Sequence, residues 1–288
     1  MHFLICSDGM PAADDATRIG GLLATACQTE VTLLGIAERP VDEQPLREAL
    51  ETQAGFLRTA GVSPQIVIGS GEPVLEIKRR VAEAKYDLVV IGSRRRRSSG
   101  LYWRSQRTYE VIKTIASPVL VAVGERRQMK KFLVCTGGQQ YITGALELTG
   151  KLAAAAGAEV VLLHVMAAPP AMYANLVRME EDAEAFLGAK SMLALNLQKQ
   201  RQDLEKMGVK ASIHVRHGLV VEQAMKESRQ GDYDLIVTGS STASRMVRYY
   251  MMGDVTRSIL NRSEIPVLVA RSSGSFGLFG WLRRIFGR

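Results

Sequence analysis

Six arginines, Arg94, Arg95, Arg96, Arg97, Arg104 and Arg107, crowd one short stretch of this chain. A guanidinium fork matches two phosphate oxygens at once, so the cluster suits a nucleotide, a phosphorylated metabolite or a polyanion. Like charges also repel and extend, and a solvated charged loop is the equal alternative. Tyr102 and Trp103 lie among the arginines and offer faces for stacking on a base, although packing is the preferred reading of Trp103. Gly92 and Ser93 lead into the cluster, and Ser7-Asp8-Gly9 closes the first apolar run of the chain. Bare glycines let backbone amides approach an anion closely. Catalytic chemistry has no such support. HExxH, GxSxG and GxxxxGK(S/T) are absent, and no pair of carboxylates stands out. His164 lies inside an apolar run, and the His214–His217 pair has only weak metal-ligand spacing. The expectation is a binding protein and not an enzyme.

The elements that position these residues come in two copies. FLICSDG at 3–9 returns as FLVCTGG at 132–138, and VTLLGIAE at 31–38 as VVLLHVMA at 160–167, both at an offset of 129. DLVVIGS at 87–93 returns as DLIVTGS at 234–240, where the offset is 147, and SPVLVAV at 117–123 as IPVLVAR at 265–271, where it is 148. A repeat of this length means two copies of a domain. Short runs of Val, Ile and Leu read as strands near 2–6, 31–36, 65–68, 87–91 and 119–123, and again near 131–135, 159–165, 211–215, 234–238 and 267–271. Helix-like stretches at 12–27, 44–60, 72–84 and 106–116 alternate with the first set. That alternation gives an α/β fold with a parallel sheet and right-handed crossovers. Pro118 and Pro266 enter the last strands, which places those strands best near a sheet edge. The second copy's extra residues fall in 168–207, as a longer second helix or one split at Gly188, read as surface elaboration before a lid or partner-binding helix.

In a doubly wound sheet a ligand sits beyond the carboxyl ends of the strands, where strand order reverses. With the first and fourth strands as central neighbours, Ser7-Asp8-Gly9 meets Gly92-Ser93-Arg94 there, and Thr136-Gly137-Gly138 meets Gly239-Ser240-Ser241. The strand ending in Asp-Gly, the Asp-Leu-Val-Val-Ile-Gly-Ser run and the closing Ser-Pro-Val-Leu-Val resemble the universal stress protein family. The resemblance covers about 1–124 and 130–271, as in its tandem, UspA-like members. It implies two flavodoxin-like domains (adenine nucleotide alpha hydrolase-like) with five-stranded parallel sheets, packed as a pseudo-dimer through their last strands. The implied division is 1–125, 130–272 and a tail at 273–288. ATP-binding members of the family carry an acidic residue after the first strand. They then carry Gly, two residues, Gly, nine residues, and Gly followed by Ser or Thr. In the first copy Asp8 and Gly92 match, while Arg95, Ser105 and Gln106 replace the later positions. In the second, Gly137 replaces the acid, Gly239 matches, Thr242 replaces the second glycine, and Gly253 precedes Asp254. Asp254 reads as the N-cap of a helix over 255–262. Both nucleotide sites are therefore impaired, and ATP is a cofactor bound weakly or not at all. The candidate ligand contacts are Asp8, Gly9, Gly92, Ser93, Arg94, Arg95, Gly239, Ser240 and Gly253.

The formal charge of +8 is mostly local, in the arginine cluster and in Arg283, Arg284 and Arg288. Nucleic acid ranks last among partners, since no nucleic-acid module accompanies the charge. Residues 275–288, SFGLFGWLRRIFGR, gather Phe276, Leu278, Phe279, Trp281, Leu282, Ile285 and Phe286 beside Arg283 and Arg284. This is the composition of an amphipathic helix that lies on a membrane surface or a protein partner, tethered by Ser272-Ser273-Gly274-Ser275. Cys6, Cys27 and Cys135 form no CxxC, and Cys6 and Cys135 read as buried structural thiols in a reducing compartment. With no secretory signal visible, the expected place is the cytoplasm, peripheral at the inner membrane surface. The function expected from the resemblance is a stress-response or signalling module, open to homo-oligomerisation, acting through its tail. The alternative is an ATP-binding switch using Asp8 and the Arg94–Arg97 loop.

Overall fold

The computed structural model describes residues 1–10, 14–92, 96–98, 101–103, 106–138, 143–167, 191–242, 250–251 and 253–271. The first half runs β1 (His2–Ser7), α1 (Asp14–Cys27), β2 (Glu30–Ala37), α2 (Glu43–Thr59), β3 (Gln65–Ser70), α3 (Pro73–Glu83) and β4 (Leu88–Gly92). It continues through β5 (Arg96–Ser98), β6 (Leu101–Trp103), α4 (Gln106–Thr114) and β7 (Val119–Ala122). The second half runs β8 (Lys131–Cys135), α5 (Thr143–Ala156), β9 (Glu159–Met166), α6 (Met192–Lys206), β10 (Ala211–His217) and α7 (Val220–Gln230). It ends with β11 (Leu235–Thr242), β12 (Tyr250–Met251), α8 (Asp254–Arg262) and β13 (Val267–Arg271).

Each half is a parallel sheet in which the first strand lies between the second and the fourth, so strand order reverses at β1/β4 and at β8/β11. The order across the molecule is β3-β2-β1-β4-β7, then β13-β11-β8-β9-β10. The last strands pair antiparallel, Val119 with Val269 and Val121 with Val267, and join the two sheets into one. The expected pseudo-dimer is thus formed. The strands that follow Pro118 and Pro266 are the edge strands of their own half-sheets, and their pairing covers both edges, as expected. Each proline sits just before its strand, where its missing N–H is tolerated, and its carbonyl accepts a bond, from Val89 N and from Ile236 N.

Alternation along the strands splits the core into two layers. Phe3 and Ile5 face α1 and α2, while Leu4 and Cys6 face α3 and α4. The second half repeats this with α5 and α6 on one face and α7 and α8 on the other. Two sequence expectations change. The arginine stretch is not a plain loop, since β5 and β6 pair antiparallel, Arg96 opposite Trp103. The N-cap of α8 is Gly253, and Asp254 is the first helical residue, where the helix dipole favours an acid. Helix α6 is capped by Ser191, whose Oγ accepts from Ala194 N at 3.1 Å. The split expected at Gly188 lies outside the described residues.

Candidate functional site

The carboxyl ends of β1, β2 and β4 meet the first turns of α3 and α4 in a pocket of about 280 Å³. Its walls are apolar: Leu34 and Ile36 from β2, Val74 and Ile77 from α3, Ile91 from β4 and Val111 from α4. Its polar edge is Ser7, Asp8 and Thr108. Gly9 takes φ +73°, which a residue with a β-carbon resists, and its amide donates to Ser7 Oγ at 3.1 Å. This tight turn leaves Asp8 exposed at the pocket edge, where Oδ1 accepts from Met10 N at 3.1 Å.

Two acidic residues that the sequence pattern does not single out shape the mouth. Glu72 caps α3, accepting from Val74 N at 3.0 Å and Leu75 N at 2.8 Å, so those helix amides are already satisfied. Glu38 takes both arms of Arg107, at 2.5 and 2.9 Å. Hydrogen bonding to Arg107 holds the Glu38 carboxyl below its ordinary value, and the same pair raises Arg107. Arg107, grouped by sequence with the phosphate-binding arginines, therefore has a carboxylate partner. Comparison of the two copies at positions 38 and 107 would have found this pair. Gly92 ends β4 at the pocket floor. Ser93, Arg94 and Arg95 lie outside the described residues, as do Arg104 and Ser105.

The second half closes its turn the same way and adds bonds across it. Gly138 takes φ +71° and its amide donates to Thr136 Oγ1 at 3.1 Å. Asn196 Nδ2 donates to Gly138 O at 3.1 Å, and Thr136 Oγ1 donates to Gln200 Oε1 at 3.0 Å. His164 Nδ1 meets Thr136 O at 2.9 Å, a buried histidine satisfied by the backbone. Gly239 is exposed, with open space around it, and its carbonyl accepts from Thr256 Oγ1 at 2.9 Å. Ser240 continues β11 beside it, and Gly253 is the N-cap residue of α8. The tail residues Phe276 to Phe286 lie outside the described residues.

Burial pushes the thiols of Cys6 and Cys135 up to about 12, so both stay protonated. His214 is engaged by the buried Glu227, with Nδ1 at 2.8 Å. Tyr233 donates to the same carboxylate at 2.8 Å and Arg216 Nε at 2.5 Å. Burial alone would raise Glu227, but these three partners outweigh it and hold the carboxyl below its ordinary value. No group of three or more metal-ligating side chains gathers among the described residues.

A doubly wound sheet with an apolar pocket at its switch point, an acid on the first strand's turn, and a second copy joined strand to strand define a tandem flavodoxin-like protein with a candidate ligand site in its first half. The sequence model of the universal stress protein family matches residues 1–122 and 129–271, and the chain belongs to that family. A universal stress protein from Archaeoglobus fulgidus superposes with a TM-score of 0.72 at 16% identity, over 94% of this chain and 98% of the other. A putative universal stress protein from Pseudomonas aeruginosa gives 0.68 at 16% identity, over 100% and 98%. These likenesses establish the fold. No curated protein matches the sequence.

Proposed function

We propose that this universal stress protein is a non-enzymatic, cytoplasmic regulator whose first half binds one small ligand and whose second half does not. One observation carries the reading: the 280 Å³ pocket at β1/β4, apolar within and edged by Asp8. Such a site suits a nucleoside-like molecule, with a planar end against Leu34, Ile36 and Val74 and hydroxyls at Asp8. Any phosphate would extend toward the arginine stretch. The second half has Gly137 in place of Asp8, so it lacks the acid. Calorimetry with ATP, AMP and adenosine, on the intact chain and on Asp8→Ala, tests this. The expected result is one site per chain, lost in Asp8→Ala; two sites, or none, would refute it. The amphipathic composition of 273–288 supports peripheral membrane or partner contact as the output of this module. Unchanged binding to anionic vesicles after deletion of 273–288 would remove that reading.

A further inference from the structure

The two halves place matched residues at matched points, and the second half has lost its charges there. Asp8, Glu38 and Arg107 line the first pocket, and Glu72 caps α3 next to its lining residue Pro73. At the repeat offsets stand Gly137, Ala167, Leu219 and Val255. Four charged groups have no charged counterpart. Two of the replacements are large apolar side chains left in water: Leu219 is 67% exposed and Val255 is 39% exposed. Val220 beside them is 38% exposed. Leu219 is the N-cap residue of α7, Val220 its first residue, and Val255 lies in the first turn of α8. Helices α7 and α8 pack side by side, so these residues sit at neighbouring helix starts, at the same end of the sheet as Gly239, where the first half has its pocket. A site built for an anion needs open amides and positive charge; this one presents apolar surface that gains from being covered.

The chain holds a segment that fits. Strand β13 ends at Arg271, in register with Ser240, one residue past the open Gly239. Strand β13 therefore ends at the same end of the sheet as Gly239 and the starts of α7 and α8. Ser272-Ser273-Gly274-Ser275 spans roughly 13 Å when extended, enough to cross the ~10 Å between packed layers. After this linker come Phe276, Leu278, Phe279, Trp281, Leu282, Ile285 and Phe286, with Arg283 and Arg284 among them. The same helix starts offer the matching charge, because Glu222 and Asp254 are exposed in the first turns of α7 and α8.

We infer that, away from membranes, the apolar face of 276–286 seats on its own chain, over Leu219, Val220 and Val255, with its arginines at Glu222 and Asp254. This end of the second half is then a receptor for the tail and not a vestigial nucleotide site. This stands independently of whether the first pocket binds a nucleotide.

The full chain carrying Trp103→Phe leaves Trp281 as its single tryptophan. The expected emission is blue-shifted, resists acrylamide, and does not change on dilution. Leu219→Glu with Val255→Glu should return it to the solvent-exposed wavelength and raise quenching several-fold, with the melting midpoint little changed because both sites are exposed. Should that pair fail to fold, Glu222→Lys with Asp254→Lys should produce the same shift in part, without touching apolar surface. Solvent-like emission in the parent overturns the proposal. So does a blue shift that appears only with added anionic vesicles, or only as concentration rises, which would put the seat on a lipid surface or a second copy. A blue shift unmoved by both variant pairs overturns it too.

Discussion

Glu38 and Arg107 lie 69 positions apart in the chain, yet the fold sets them as a bidentate pair lining the pocket edged by Asp8. Both side chains are about half exposed, so the pair adds little stability, about 0–1 kcal/mol. Its consequence is for binding. An anionic ligand must compete with Glu38 for Arg107, whereas a neutral one need not. Glu38→Gln should therefore tighten an anionic ligand by up to about fivefold, the equivalent of ~1 kcal/mol, and leave adenosine unchanged. Equal Kd values for ATP in the two proteins would show that the ligand never meets Arg107. Because Arg107 holds Glu38 below its ordinary value, the pair persists as pH falls into the range where unpaired carboxylates protonate. At this scale the sequence was half legible. Asp8 and Gly92 announce themselves by type and by repeat. Arg107 reads as one of six free cations until the fold supplies its partner.

Glu227 ties α7 to β10 and to the segment before β11, through His214, Arg216 and Tyr233. A carboxylate this buried is tolerable only because all three partners converge on it. Glu227→Gln keeps the shape and loses the charge, and should cost about 2 kcal/mol in denaturant unfolding at pH 7. The pH sign follows from the shift. The folded carboxyl titrates below its unfolded value of about 4.3, so its stabilisation is whole above that value. It is lost as pH falls through the folded value. Wild type should therefore lose stability more steeply than Glu227→Gln below about pH 4.3, and parallel acid curves would show that Glu227 carries no linked proton. Helices and strands themselves were largely legible, because apolar runs and 3.6-residue periods are local. The β5–β6 pair was not, since six like charges argue for extension and only backbone pairing across Ser98 and Leu101 opposes it. The Gly253 cap was missed for a local reason: an acid at a helix start reads equally as cap or first residue.

The two halves share one sheet, and the junction is more than the β7–β13 pairing. Strand β6 of the first half lies against α8 of the second, and β12 lies against α4 in return. Tyr109 bonds Asn261 across the same seam, and the Arg257 guanidinium lies 5.3 Å from the Tyr109 ring centre. The repeat made this arrangement legible through the family resemblance, but its asymmetry was hidden. Arg271 stands where the first half has Val123, and sequence alone gives it no partner. In the fold it is buried and reaches into the first half. Its Nε donates to Ser117 O at 3.2 Å and its Nη2 to Ile115 O at 3.0 Å and to Ile112 O, satisfying carbonyls at the end of α4. Those carbonyls have no partner within the helix, so removing the guanidinium leaves them buried and unpaired. Arg271→Ala should cost about 3 kcal/mol. The seam should also weaken more than either core, so urea unfolding that is one transition in wild type should split into two. Hydrogen exchange would then show β7 and β13 opening before β1 and β8. A lower midpoint with a single unchanged slope would mean instead that Arg271 steadies α4 alone, and that the paired last strands hold the halves together without it.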